Sequence, residues 1–140
     1  MATDLETIEY RKVTHGDVGL VYEFLEPFMA SGFLLRRDRD ELSRLMVYCF
    51  GAFSGEQIVG FAAVEIYSKK LAELQCLAVN PGFRRMGIGK SLVSYCCDVA
   101  KQVGVKELMA ISASDEMFKA CGFDYSLPNQ KKALFSSASE

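Results

Sequence analysis

Residues Leu71 to Lys90, LAELQCLAVNPGFRRMGIGK, decide how this chain is read. The stretch opens as an apolar run, Leu71–Val79, interrupted only by Glu73 and Gln75, and it breaks at Asn80-Pro81-Gly82. Arg84-Arg85-Met86-Gly87-Ile88-Gly89-Lys90 follows, and an amphipathic helical pattern continues from Ser91. Strand, turn, glycine-containing loop and helix therefore succeed one another. Glycine permits positive φ and close backbone approach, so such a loop can aim several N–H groups into one small volume. The helix adds its unpaired N–H groups and the positive end of its dipole. With Arg84, Arg85 and Lys90 alongside, the ligand that suits this loop is a phosphate or pyrophosphate. The alternative is an ordinary strand–turn–helix connection whose glycines serve packing.

Working outward, the 140 residues are 50% hydrophobic and 24% charged, an ordinary balance for one soluble globular domain. A net charge of −2 gives no support for nucleic-acid binding. No apolar run reaches the roughly 18 residues that span a bilayer, so no membrane partner is expected. The N-terminus MATDLETIEYRKV lacks a basic segment followed by an apolar one, which argues against a secretory leader and for a cytoplasmic protein. The five cysteines, Cys49, Cys76, Cys96, Cys97 and Cys121, form no C-x-x-C pair, and His15 is the one histidine. Neither a metal site nor a disulfide framework is expected, and most of these thiols read as small buried hydrophobes.

Along the chain, Ile8–Val13 reads as a strand, and Thr14 or Asp17 as the cap of a first helix that becomes irregular at Pro27. A second helix starts near Asp38. Tyr48–Phe53 and Ile58–Tyr67 form a hairpin around Ser54-Gly55-Glu56-Gln57, with Gly60 interrupting the second strand. After the strand Leu71–Val79 the long helix spans Ile88 to Val103, with Leu92, Val93, Cys96, Val99, Ala100 and Val103 inward and Gly104 at its end. Lys106–Ser112 reads as a strand, Ser114 or Asp115 as the start of a short helix, and Phe123–Leu127 and Lys131–Phe135 as two last strands. Residues 136–140 read as a frayed tail. The expected fold class is α/β, more fully an α+β mixed sheet: hairpins make it mostly antiparallel, and the strand–helix–strand unit from Leu71 to Ser112 makes one parallel pair with helices on both faces.

The central loop fails the spacing of the P-loop, and it fails the dinucleotide fingerprint because Leu92 stands where the third glycine belongs. Its R-x-x-G-x-G, made by Arg84, Gly87 and Gly89, resembles the pyrophosphate loop of the GNAT superfamily of acyl-CoA-dependent N-acetyltransferases. The likeness extends over about residues 20 to 135. Phe24-Leu25-Glu26-Pro27, Gly32-Phe33-Leu34-Leu35-Arg36-Arg37, Glu41-Leu42, Ala72–Pro81, Phe118–Phe123 and Leu127–Phe135 are similar to the acetyltransferase domain of N-acetylglutamate synthase. The basic-serine segment that follows the last strand of the synthase has no counterpart here, nor has its amino-acid-kinase-like domain. The resemblance implies a single GNAT domain over residues 1–140, a parallel pair that splays apart, and acetyl-CoA as cosubstrate. It also implies a place in amino-acid metabolism, specifically arginine biosynthesis, with glutamate or a near relative such as glutamine as acceptor. Other small amines, a protein amino group, or a catalytically idle acyl-CoA-binding module remain alternatives. A homodimer is compatible with such a chain, and no sequence feature selects it over a monomer.

Acetyl transfer to an amine requires a base for the amine, polarisation of the thioester and stabilisation of the leaving thiolate. Glu73, an acid within an otherwise apolar strand, is read as the base, with burial expected to favour proton uptake; the alternative is a solvent-facing residue at a strand end. Glu65 is the second candidate. The resemblance implies Ser114 as the group assisting the thiolate; Ser114 could equally be a helix cap. Backbone groups of Leu77, Ala78 and Val79 would pair with the pantetheine amides, and Arg84, Arg85, Met86, Gly87, Ile88, Gly89 and Lys90 would cradle the pyrophosphate, with Phe118 against the pantetheine arm. The two carboxylates of glutamate call for arginine forks, and Arg36 and Arg37 match the synthase's substrate-side pair. The alternative for that pair is a solvated charge run. Cys76 and Lys132 complete the expected acceptor pocket.

Overall fold

The computed structural model describes residues 7–112, 116–125, 134, 136 and 137. Among them five strands form one mixed sheet in sequential order: β1 (Ile8–Lys12), β2 (Cys49–Ser54), β3 (Gln57–Ile66), β4 (Leu71–Val79) and β5 (Glu107–Ala110). The β1–β2, β2–β3 and β3–β4 pairs are antiparallel, and β4–β5 is parallel. The expected architecture is therefore present, with the parallel pair joined by a helical crossover.

Among the described residues four α-helices cover the sheet: α1 (Val18–Ala30), α2 (Arg39–Leu45), α3 (Ile88–Val103) and α4 (Glu116–Ala120). Val21, Leu25 and Met29 of α1 and Leu42 and Leu45 of α2 pack with Phe53, Phe61 and Ala63 on one face. Ile88, Leu92, Val93 and Cys96 of α3 pack with Val59, Val64, Ala72 and Leu74 on the other. Asp38 caps α2 reciprocally with Glu41: its carboxylate accepts the Glu41 amide at 2.8 Å, and its own amide donates to the Glu41 carboxylate at 2.9 Å.

The break at Gly60 in the β3 pattern now has a cause. A Cβ there would stand 2.9 Å from Ile88 Cγ2 and 3.1 Å from Leu92 Cδ1, so α3 lies directly on the β3 backbone. Glycine at this place sets the depth at which the N-terminal turn of α3 is seated.

Several expectations are corrected. Pro27 does not disrupt α1, which continues to Ala30; the ring removes the donor to the Glu23 carbonyl, and the Pro27 carbonyl still accepts from Ser31 N at 3.1 Å. Val103 is exposed, because the final turn of α3 is where the chain departs for β5. Phe123–Tyr125 form no strand; instead the Phe123 ring meets Phe118 edge-on, 5.3 Å between centroids. Residues 126, 127 and 131–133 lie outside the described residues.

Candidate functional site

The site is organised by an irregularity in β4. Phe61 pairs with Ala78 and Ala63 with Gln75, so β4 carries one residue more than β3 between these pairs. This is a β-bulge, and Cys76 adopts φ +61 within it. On the other edge, pairing with β5 stops at Leu74↔Ala110. Residues 75–79 therefore have no β5 partner, and the parallel pair opens as the resemblance implied. The opening is part of a cleft of about 1150 Å³. Cys76, Leu77, Ala78 and Val79 form its floor. Phe24, Phe28 and Phe33 stand on one side, and Met117 and Phe118 on the other.

β4 leads directly into the loop. The Asn80 side chain accepts the Gly82 amide at 2.8 Å and Asn80 N donates to Val59 O at 2.8 Å, so the turn is anchored to β3. Arg85 and Gly87 take φ of +67 and +74. Gly87 is the N-cap of α3 and supplies no side-chain acceptor, so the first amides of this helix have no side-chain cap. Arg84 and Gly89 line the cleft, and a Cβ placed on Gly89 would find nothing nearer than Met117 Cε and Val79 Cγ2, both at 4.0 Å. Gly89 thus adds no side chain to this part of the cleft. Ile88 is not among the cleft-lining residues; it is 2% exposed, and its side chain faces Gly60. Arg85, Met86 and Lys90 are exposed at the rim.

Beyond the other end of the opening lies a polar cluster on the α1–α2 face. Glu65 and Glu73 are directly opposite in the β3–β4 register. The Tyr67 hydroxyl donates to Glu73 Oε1 at 2.5 Å and lies 3.4 Å from Glu65 Oε1. Gln75, 8% exposed, directs Nε2 to Glu65 Oε1 at 2.5 Å, to Tyr67 Oη at 3.2 Å and to Glu73 Oε1 at 3.3 Å. Its Oε1 accepts from the Arg37 guanidinium. Desolvation first, then the hydrogen bond to Glu73, pushes the Tyr67 phenol up, so it remains a proton donor.

The expected residues distribute as follows. The β4 floor, Arg84, Gly89 and Phe118 converge on the cleft. Glu73 is half-buried in the polar cluster and is not among the cleft-lining residues; Cys76, three positions on, is. Arg36 and Arg37 do not line it either. Arg36 gives both guanidinium nitrogens to Glu26, the shorter contact being 2.8 Å, on the exposed surface. Ser114 and Lys132 lie outside the described residues. Burial pushes the Cys49 and Cys96 thiols up to about 12 and raises that of Cys76, so these thiols stay protonated. Sequence reasoning missed Tyr67 and Gln75 as site residues. The signal was Glu65-x-Tyr67 facing Glu73-x-Gln75: alternate positions on two adjacent strands share one face.

A family model described as Acetyltransferase (GNAT) family matches residues 15–123. An amino-acid acetyltransferase of Photorhabdus laumondii is 30% identical over 134 residues, which cover 91% of this chain and 30% of that protein. N-acetylglutamate synthase from Neisseria gonorrhoeae, solved with coenzyme A and N-acetyl-glutamate, matches with a TM-score of 0.72 and 25% identity over 81% of this chain and 27% of that one. An aminoglycoside acetyltransferase from an uncultured soil metagenomic sample, in complex with sisomicin, matches with a TM-score of 0.68 over 99% of this chain and 100% of that one, at 21% identity. The last likeness is one of fold. The chain spans 30% of the length of the curated amino-acid acetyltransferase.

Proposed function

Because the chain belongs to the acetyltransferase (GNAT) family, we propose that it transfers the acetyl group of acetyl-CoA to the amino group of a small amino acid, with glutamate as the leading acceptor. The observation that carries this reading is the course of the chain after β4: a strand edge left open beside β5 leads through residues 80–87 to the start of α3, which no side chain caps. An amide-bearing arm can pair with Leu77–Val79 as an added strand, while its diphosphate meets the amides of 87–90 with Arg84, Arg85 and Lys90. Phe118 packs against that arm. Acetyl-CoA supplies a thioester carbonyl activated for attack by an amine. Glu73 is the base; since it is not among the cleft-lining residues, it accepts the ammonium proton through an intervening water. Ser114 assists the departing thiolate.

For the acceptor, Arg36 is the fork that can meet a carboxylate, because its exposed ion pair with Glu26 is weak enough to be exchanged. Cys76 and Lys132 complete the pocket. The five free thiols suit a reducing compartment, the cytoplasm. A second reading is an amine with an apolar body, favoured by the aromatic side of the cleft at Phe24, Phe28 and Phe33 with the single carboxylate of Glu23 beside them. The experiment is thiol release from acetyl-CoA with L-glutamate, L-glutamine, other amino acids and apolar amines, in the native protein and in Glu73→Gln. Preference for glutamate and a loss of about 10²- to 10⁴-fold in the variant are expected. Preference for apolar amines selects the second reading. Tight acetyl-CoA binding without acceptor-dependent release rejects the enzyme reading.

A further inference from the structure

We propose that Arg37, Gln75 and Tyr67 act as a positioning chain that holds the Glu73 carboxylate oriented and ionised, and that Arg37 is therefore not a ligand of the acceptor. The proposal rests on the reading of Glu73 as base and deepens it. Its starting point is the amide of Gln75, the one polar side chain among the described buried residues. A guanidinium can only donate, so the Gln75 atom facing Arg37 is the carbonyl oxygen. Nε2 must then face the carboxylates of Glu65 and Glu73, as found. Arg37 thus fixes which end of the amide the acids meet.

The proton inventory supports the same conclusion. Ionised Glu65 and Glu73 are acceptors only, and they stand opposite each other on adjacent strands, an arrangement that repulsion disfavours. Gln75 brings two N–H donors and Tyr67 one O–H donor between them. Tyr67 directs its hydrogen to Glu73 at 2.5 Å, and Gln75 makes its short contact with Glu65. Each carboxylate therefore has its own close donor. The groups around Glu73 are Glu65 and Tyr67 from the β3 side, Gln75 and Cys76 on β4 and Arg37 from the segment before α2, while β5 presents Met109 opposite it. Arg37 is the one cation among these described groups, and its charge reaches the acids through a polarised amide.

Removing a donor or the cation disfavours the charged form of the carboxylate. The test is the pH dependence of kcat and kcat/KM for thiol release from acetyl-CoA with L-glutamate, in Tyr67→Phe, Arg37→Met, Gln75→Leu and Glu73→Gln. Tyr67 is half-exposed, so the phenylalanine variant removes one oxygen without opening the core, and a melting curve verifies that it is folded. The expected result is a drop of roughly ten- to a hundredfold in kcat for Tyr67→Phe and Arg37→Met, the acid limb moved to higher pH, and the glutamate KM unchanged. An acid limb that stays in place in Tyr67→Phe overturns the proposal. A raised glutamate KM with unchanged kcat in Arg37→Met overturns it too and returns that arginine to the acceptor. Full turnover in Glu73→Gln refutes the underlying base assignment instead, which keeps the two failures apart.

Discussion

Gly87 holds φ at +74 at the point where the loop becomes α3, and no atom outside its neighbours would lie within 4 Å of a Cβ there. The residue is thus required by backbone conformation, not by packing. Gly87→Val would place a β-branched side chain in the left-handed region, at about 1–2 kcal/mol, and over the amides that face the cleft. The dissociation constant for coenzyme A, read by calorimetry, is expected to rise roughly tenfold or more, with the melting temperature lowered by roughly 3–10 °C from the backbone strain. A constant equal to that of the native protein contradicts the cradle. At this scale the loop was legible, because Arg84, Gly87 and Gly89 carry a spaced signature. Tyr67 and Gln75 were not, because a hydrogen-bonded cluster depends on strand register, and register is not written in any one strand. Arg36 and Arg37 show the same limit: the sequence marks them as charged, but their partners, Glu26 and Gln75, are 10 and 38 residues away.

Among the elements, β4 and α3 have the bounds that their patterns imply, Leu71–Val79 and Ile88–Val103. Both have a long apolar period and a sharp terminator, Asn80-Pro81 for one and Gly104 for the other. Phe123–Tyr125 show the converse, since a short apolar run serves equally as a strand or as packing for a helix. The contact between β3 and α3 yields an element-scale prediction. Gly60→Ala would force its methyl to within 2.9 Å of Ile88 Cγ2 and 3.1 Å of Leu92 Cδ1, so the packing of α3 on β3 must shift. A destabilisation of about 1–3 kcal/mol is expected from overpacking, measured as a lower urea midpoint. Because Ile88 opens α3, coenzyme A affinity should fall in the same variant. Loss of stability with unaltered affinity would mean that the loop is positioned independently of the helix.

For the whole molecule, the sheet order and its two helical layers follow from connection lengths: short turns enforce antiparallel neighbours, and one long helix enforces the parallel crossover. The splay does not follow from them, since Leu77–Val79 look like any buried strand end until β5 is seen to stop at Ala110. A global prediction comes from the buried thiols. Cys49 and Cys96 have pKa values raised by burial from 9.0 to about 12, so the folded state keeps protons that the unfolded state releases. Their contribution is complete below pH 9 and is lost as pH rises toward 12, so unfolding free energy should decline through that window. Cys96→Ala should flatten the decline in denaturant titrations. An equal slope in the variant would show that this thiol ionises alike in both states.

The extra residue in β4 has one more consequence. Upstream of it odd-numbered side chains, Glu73 and Gln75, face the α1–α2 layer; downstream the even-numbered Cys76 and Ala78 do. The alternation restarts in mid-strand, so the two halves of one β-strand keep separate phases. The polar cluster of Glu73 and Gln75 belongs to the first half and the edge left open beside β5 to the second. Either half can be rewritten by substitution without transposing the other, which suits a scaffold whose donor stays constant while its acceptors diversify.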